Sequence, residues 1–270
     1  LASTFAPLIW GGKKNFKVVF YNVAALVSSG ADSIFVIDSV DIANRYVFVT
    51  GTTTGITALD AAVSGAPNVV DAFFHTSKTG TGTPTLHDMV GIDVIAGNAG
   101  TLFNIDASLY DLFAGNVYSV GSVALTLAKV ITAATAGVNR GLDEDVTLWV
   151  HPQTWTNLSS NEAALRRYGA EVKTASNGWK SIEFAHMNGT ISVIGHGFIK
   201  EGLAYMLPMR YFKRVGAQDV SFKTPGRNPN DDIFWHDPAV AGFSYRLYTH
   251  QSVFCERPAY CVKLTGIVNA

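Results

Sequence analysis

The chain has 270 residues, of which 48% are hydrophobic and only 15% charged, and its net charge is −1. That apolar content excludes a disordered chain, and the near-zero charge lacks the basic excess of a dedicated nucleic-acid binder. Two cysteines are too few for a disulfide framework, and a charged fraction well under the roughly 25% of ordinary soluble domains leans toward a surface hidden against copies or partners.

The length suits one large domain or two small ones. Charge is unevenly spread: residues 1–135 carry 6 Lys/Arg, 9 Asp and no Glu, whereas residues 136–270 carry 14 Lys/Arg and 12 Asp/Glu. The chain begins at Leu1, and no signal-peptide pattern is visible in LASTFAPLIWGGKKNFK. Residues 1–15 read as an arm, with Pro7, Gly11 and Gly12 beside Phe5 and Trp10. Such a segment has no core of its own and must lie against something else.

Residues 16–80 read as short strands, FKVVFYNVAALV, DSIFVIDSVD, RYVFVTGTTTG and NVVDAFFHT, each bounded by turn formers. They predict a small β subdomain or a long two-stranded projection, followed by a flexible connector, SKTGTGTPT. The clearest helix comes next. Val123, Leu127, Val130, Ile131, Ala134 and Val138 recur at spacings of three and four, predicting a helix over about 122–139 capped by Ser122 and closed by Gly141. Arg140 stands at its negative end. Read as a membrane span, this segment would put Lys129 at its centre, at about 2.5–3.5 kcal/mol, and no span is expected.

DVTLWV then reads as a buried strand and PQTWTNLSSNEAALRRY as a helix, with Pro152 in its first turn. GTISVIGH, DVSFKT, GFSYRLYTHQ and AYCVKLTGIV read as further strands, and TPGRNPNDD as a loop.

Motifs for chemistry are scarce. None of the seven histidines pairs at i+4, and Cys255 and Cys261 lack the neighbours of a zinc site, so two separate thiols near a strand turn are expected. TGTGTP lacks the Gly-Lys-Ser/Thr ending of a phosphate loop, and there is no G-x-S-x-G elbow. His151, after DVTLWV, is either a catalytic or ligating residue or part of a strand-to-helix junction; with no partner group nearby, the junction is favoured. His236 beside Asp237 reads better as an Asx-type turn before Pro238 than as a catalytic pair. Arg210, Lys213 and Arg214 form either a contact for phosphates or acidic groups of a neighbouring chain, or a solvated basic face. Arg166 and Arg167 admit the same two readings, with a solvated helix end favoured. No catalytic, cofactor or metal residue is assigned, and no enzymatic activity is expected.

The order of arm, β-rich segment, long helix and α/β unit resembles the major capsid protein of tailed bacteriophages, with its Hong Kong 97-type fold. GSVALTLAKVITAATAGVNRG looks like the spine helix, and DVTLWVHPQTWTNL like the opening of the axial domain. NGTISVIGHGFIKEGLAYMLP looks like the family's strand-turn and Gly-x-Ala-Tyr segment, and FSYRLYTHQSVFCERPAYCVKLTGI like its closing strands. NIDASLYDLFAGNVYS resembles the stretch before the spine helix.

The resemblance implies an α+β fold divided as N-terminal arm (1–15), β-rich segment with an extended loop or inserted subdomain (16–85), peripheral domain with spine helix (86–145), axial domain (146–250) and a closing strand (251–270). It implies copies forming hexamers and pentamers of an icosahedral virion shell, built in the host cytoplasm around double-stranded DNA without sequence preference. Portal, scaffold or decoration proteins are further expected partners. Phe5, Trp10, Arg166, Arg167, Arg210, Lys213 and Arg214 become candidate subunit-interface residues. The rival readings are an encapsulin-like nanocompartment shell, a β-rich adhesion or fibre module, and a hydrolase using His151 or His236.

Overall fold

The computed structural model of the chain describes residues 7–22, 25–28, 30–44, 46–64, 70–74, 89–160, 172–174, 180–222, 234–237, 242–245 and 247–269. The architecture is α+β, as the sequence predicts, and two sheets carry it.

After a single helical turn, α1 (Pro7–Trp10), the chain builds a five-stranded antiparallel sheet from β1 (Lys17–Asn22), β2 (Ala25–Leu26), β3 (Phe35–Asp41), β4 (Tyr46–Thr50) and β5 (Val70–Phe74). Val18, Phe35 and Ile37 form its core, with Phe20 edge-on to Phe35 at 5.1 Å. Among the described residues this segment thus forms a five-stranded sheet rather than two paired strands alone. It also holds a helix that the sequence did not announce, α2 (Thr53–Ser64). Thr52 starts it: the Gly55 N–H donates to Thr52 Oγ1 at 3.1 Å, an N-cap bond. The arm is not free either. The Leu8 N–H donates to the Gly197 carbonyl at 3.3 Å, while Trp10 packs on the Val18–Phe35 core.

A short helix, α3 (Ile92–Ala96), and a hairpin of β6 (Thr101–Leu102) and β7 (Ile105–Asp106) follow. The two hairpin turn residues, Phe103 and Asn104, both have positive φ, as a tight type I′-like turn requires. Asn adopts this readily; Phe does not, and its ring is held against Phe254 at 4.9 Å.

The second sheet has seven strands in the order β10-β11-β12-β9-β13-β18-β8. They are β8 (Asn116–Val123), β9 (Val146–Val150), β10 (Val172–Thr174), β11 (Lys180–His186), β12 (Gly189–Gly195), β13 (Ala204–Leu207) and β18 (Val262–Ile267). β12 runs parallel to β9 and β18 parallel to β8; the other pairs are antiparallel. Strand β8, from the expected peripheral segment, and β9, β12 and β13, from the expected axial segment, thus belong to one sheet.

Every residue of β13 is buried, so both sheet faces are covered. On one face α4 (Leu127–Val138) and α5 (Pro152–Ser160) bury Leu127, Val130, Ala134 and Leu158 against Leu148, Met206, Val262 and Leu264. Burial of Leu127 or Val130 alone stabilises by about 1.5–3 kcal/mol. On the other face Ile95, Leu102, Cys255 and Cys261 pack on Tyr205 and Leu207.

Helix α4 is shorter than its periodicity suggested. It starts at Leu127, after Thr126, and its 12 residues span about 18 Å. Gly121 and Ser122 have φ of 84° and 55° and lie in β8, so Ser122 is not the cap and Val123 is a strand residue. The other end is as read. Gly141, at φ 100°, sits past the last turn, where the Gly141 N–H reaches the Val138 carbonyl and the Leu142 N–H the Gly137 carbonyl at 2.9 and 3.0 Å. These are the paired bonds of a Schellman motif, and the buried Leu142 completes it. Arg140 turns away from the helix end and bonds the Ala114 carbonyl.

The remaining strands form ribbons. β14 (Phe212–Ser221) pairs with β17 (Tyr248–Cys255), and β15 (Phe234–Asp237) with β16 (Gly242–Tyr245). GFSYRLYTHQ is thus two strands, β16 and β17, rather than one. His236 and Asp237 end β15, and the turn expected before Pro238 lies outside the described residues.

Asn116 pins the closing strand. Its Nδ2 donates to the Ala259 carbonyl at 2.6 Å and the Cys261 carbonyl at 3.0 Å, joining positions some 145 residues apart. Asn116→Ala leaves buried carbonyls without this donor and should lower unfolding stability by about 1–3 kcal/mol, with an unchanged denaturant slope in urea titration.

Candidate assembly surface

His151 is the candidate at the strand-to-helix junction. It ends β9 and precedes α5, is buried, and its Nδ1 accepts the Gln153 N–H at 3.3 Å while its carbonyl accepts the Trp155 N–H at 3.0 Å. A ring nitrogen accepting from the second helical residue is an N-cap, so the strand-to-helix junction is what the structure shows. His186 and His196 use Nδ1 in the same way, accepting from Asn188 at 3.4 Å and Phe198 at 3.2 Å. His196 also stacks on Phe198 and meets Trp149 edge-on. His250 stands exposed on β17. Among the described residues there is no group of three or more His, Cys, Asp or Glu placed to hold a metal. His75, His87, Phe5, Arg166, Arg167 and the TGTGTP loop lie outside the described residues.

One half-buried charge cluster does exist. Asp93 on α3 receives the Tyr205 hydroxyl at 2.6 Å and the Lys263 ammonium at 2.7 Å, tying α3 to β13 and β18. Burial pushes the Asp93 carboxyl up, but the bonds from Lys263 and Tyr205, with the charges of Lys263 and Lys200, outweigh it and hold it below the ordinary range. Burial, followed by the Asp93 bond and charge, drives the Tyr205 phenol well above its usual value. Every member is satisfied by another member, which describes a structural tie rather than a poised acid or base. A groove of about 320 Å³ between α4 and the β11–β12 turn is lined by Ile131, Ala134, Val138 and Met187, and among the described residues His186 is the one ionisable group lining it.

The surface has more to offer. The β14–β17 ribbon pairs, among the described residues, with no third strand, and seven of the ten β14 residues are exposed and none is buried: Val215 is 51% and Val220 60% exposed. Gly216 lets the two strands approach, since a Cβ there would lie 2.1 Å from the His250 carbonyl oxygen. An isolated two-stranded ribbon is marginal in water, and unpaired strand edges invite other chains. The segment before β8 adds Leu109, Tyr110 and Leu112, exposed at 76%, 62% and 53%. It is held in place rather than loose: Arg140 pairs with Asp111 at 3.6 Å and the Phe113 carbonyl accepts Asn98 Nδ2 at 2.8 Å. On the five-stranded sheet, edge strand β4 turns Tyr46 and Phe48 outward.

The residues singled out from sequence fall unevenly on this surface. Arg210, Lys213 and Arg214 stand at the start of the ribbon, but Arg210 pairs with Glu144 and Arg214 with Asp219 at 2.8 Å, so two of the three are neutralised within the chain. Trp10, a candidate interface residue from the sequence, is half-buried against its own chain. Leu109, Tyr110 and Leu112 were missed, although SLYDLFAG carries them as an apolar run broken only by aspartate.

No protein-family model matches the chain, and no curated protein matches it. Among solved structures, the holo-SrpI encapsulin complex from Synechococcus elongatus PCC 7942 aligns with 56% of this chain and 53% of its own, at 15% identity and a TM-score of 0.38. The match therefore spans about half of that structure's chain. No helix among the described residues is long and apolar enough to cross a membrane.

Two outcomes follow. His151→Ala removes a cap and should cost about 1 kcal/mol of stability, read as a lowered unfolding midpoint. The Asp93–Tyr205 tie gives stability two pH limits. A lowered carboxyl pKa contributes above the unfolded value of about 3.9 and is lost as pH falls through the folded one; a raised phenol pKa contributes below about 10 and is lost above it. Tyr205→Phe should flatten the alkaline loss and Asp93→Asn the acid one, in unfolding curves taken from pH 2 to 11.

Proposed function

We propose that this chain is a structural subunit that assembles with copies of itself into a closed shell, of the tailed-phage capsid kind, enclosing double-stranded DNA. The observation that carries the proposal is the β14–β17 ribbon. It is long, its β14 strand is exposed on both faces, and it is without a third strand among the described residues, so that strand lacks the packing that would stabilise it alone. A neighbouring subunit supplies that packing.

Three further features support it. The anchored run Leu109–Leu112 offers apolar area to a neighbour. A charged fraction of 15% suits a surface largely shared between copies. The element order, with its closing strand returning beside the strand that precedes the spine helix, follows the resemblance seen in sequence. Obligate assembly interfaces run to about 2,000–5,000 Å² in total, which a ribbon and an apolar segment together can supply. Charge on the inner wall needs no net basic excess, because encapsulated DNA is confined by the shell. We assign no reaction to the chain: His151 is committed to a helix cap, and Asp93 to an ion pair.

Light scattering tests the proposal. The wild-type protein should elute as particles of many 28.9 kDa chains. Val215→Asp with Val220→Asp should keep the thermal midpoint of the isolated subunit, since exposed substitutions shift stability by less than about 0.5 kcal/mol, and should abolish assembly. Undiminished assembly by the double variant would contradict the role given to the ribbon. Particles containing nuclease-protected DNA support the phage reading; particles holding a second protein instead would make the chain a nanocompartment shell.

A further inference from the structure

Nothing in the spacing of Cys255 and Cys261 says that they meet, and the sequence predicted two separate thiols. The fold brings their sulfurs to 4.0 Å, both fully buried, in the core beneath Tyr205 and Leu207. Cys255 ends β17, and Cys261 directly precedes β18. The chain between them turns through Pro258–Tyr260.

That turn is fixed from outside the pair. Asn116 holds the Ala259 and Cys261 carbonyls. The Arg257 guanidinium donates to the Tyr260 hydroxyl at 2.6 Å and lies 5.3 Å from the ring centres of Tyr211 and Tyr260. Both cysteines are thus anchored by neighbours, and their sulfurs are about 2 Å further apart than the roughly 2.05 Å of a disulfide.

We propose that Cys255 and Cys261 are a disulfide-forming pair that covalently closes the turn where the β14–β17 ribbon joins the seven-stranded sheet. The two thiols are chemically unequal, as exchange requires. The bond from Cys261, aided by the Arg257 N–H, holds the Cys255 thiol below its ordinary range despite burial; that same bond and burial push Cys261 up. Cys255 is the attacking thiolate. It displaces one thiolate from a small disulfide such as oxidised glutathione, giving a mixed disulfide. Cys261 then loses its proton and attacks the Cys255 sulfur, releasing the second glutathione thiol. Two S–H bonds are replaced by one S–S bond within the chain, and two electrons pass to the oxidant, which leaves as two thiols. Because both sulfurs are out of contact with solvent, the exchange proceeds through local opening of the turn.

The pair lies within one chain, so it stands whether or not the chain builds a shell. The experiment is incubation of the purified full-length protein with oxidised glutathione, followed by denaturation, alkylation of remaining thiols and mass spectrometry. The wild type is expected to lose both alkylation sites, with a peptide containing Cys255 and Cys261 two hydrogen masses lighter. Cys261→Ala should give only a glutathione adduct or an alkylated Cys255, and Cys255→Ala should leave Cys261 alkylated. Two alkylated cysteines in the oxidised wild type, two glutathione adducts, or a disulfide joining separate chains would overturn the proposal.

Discussion

The fold depends on one insertion: the C-terminal strand β18 lies between β13 and β8, antiparallel to the first and parallel to the second. It joins β8 to the rest of the sheet, and it supplies Val262 and Leu264 to the core under α4. It also carries Lys263 to Asp93, which holds α3 on the opposite face. Remove β18 and both layers lose their floor. Asn116 is the residue that sets its approach, because a side-chain amide there meets carbonyls on the turn that launches the strand. So much pairing across the whole sequence raises contact order, and contacts of that kind form late and slowly.

The same insertion separates closed edges from open ones. β8 is an outer strand of the seven-stranded sheet, yet its end is blunted. Gly121 and Ser122 bulge out of register opposite Gly266, and Lys129 takes the Val120 carbonyl at 2.6 Å. Bulges and lysines are how natural sheets discourage unwanted pairing. The β14–β17 ribbon, launched from the other side of the Cys255–Cys261 turn, is also irregular, with register shifts between Gly216 and Gln218 and between Gln218 and Ser221, but among the described residues no third strand pairs with it. The shell proposal rests on that missing third strand and on the exposed side chains of β14.

Much of the second half was legible in sequence because burial there is two-sided or strictly periodic. DVTLWV and GTISVIGH became β9 and β12, AYCVKLTGIV contains β18, and Gly141 closes α4 through the one backbone shape it suits best. The failures have local causes. The start of α4 was set too early because Val120 and Val123 continue the helical spacing, while the backbone at Gly121 and Ser122 is left-handed. Helix α2 was hidden by TGTTTG, whose threonines and glycines favour turns until Thr52 caps the helix. Strand β11 went unannounced in WKSIEFAH, where a lysine and a glutamate interrupt the apolar run. His151 stands between β9 and α5, as the strand-like DVTLWV before it and Pro152 after it implied. The exposed run Leu109–Leu112 and the meeting of the two cysteines were beyond reach, since exposure and sulfur separation are set by tertiary packing rather than by spacing.

The most direct measurement of the central claim is electron microscopy of the purified protein, imaged before and after conditions that favour assembly. The account predicts closed icosahedral particles built of this chain, with the β14–β17 ribbon at contacts between subunits. A protein that stays monomeric under every condition, including with any scaffold or upstream segment restored, would contradict it.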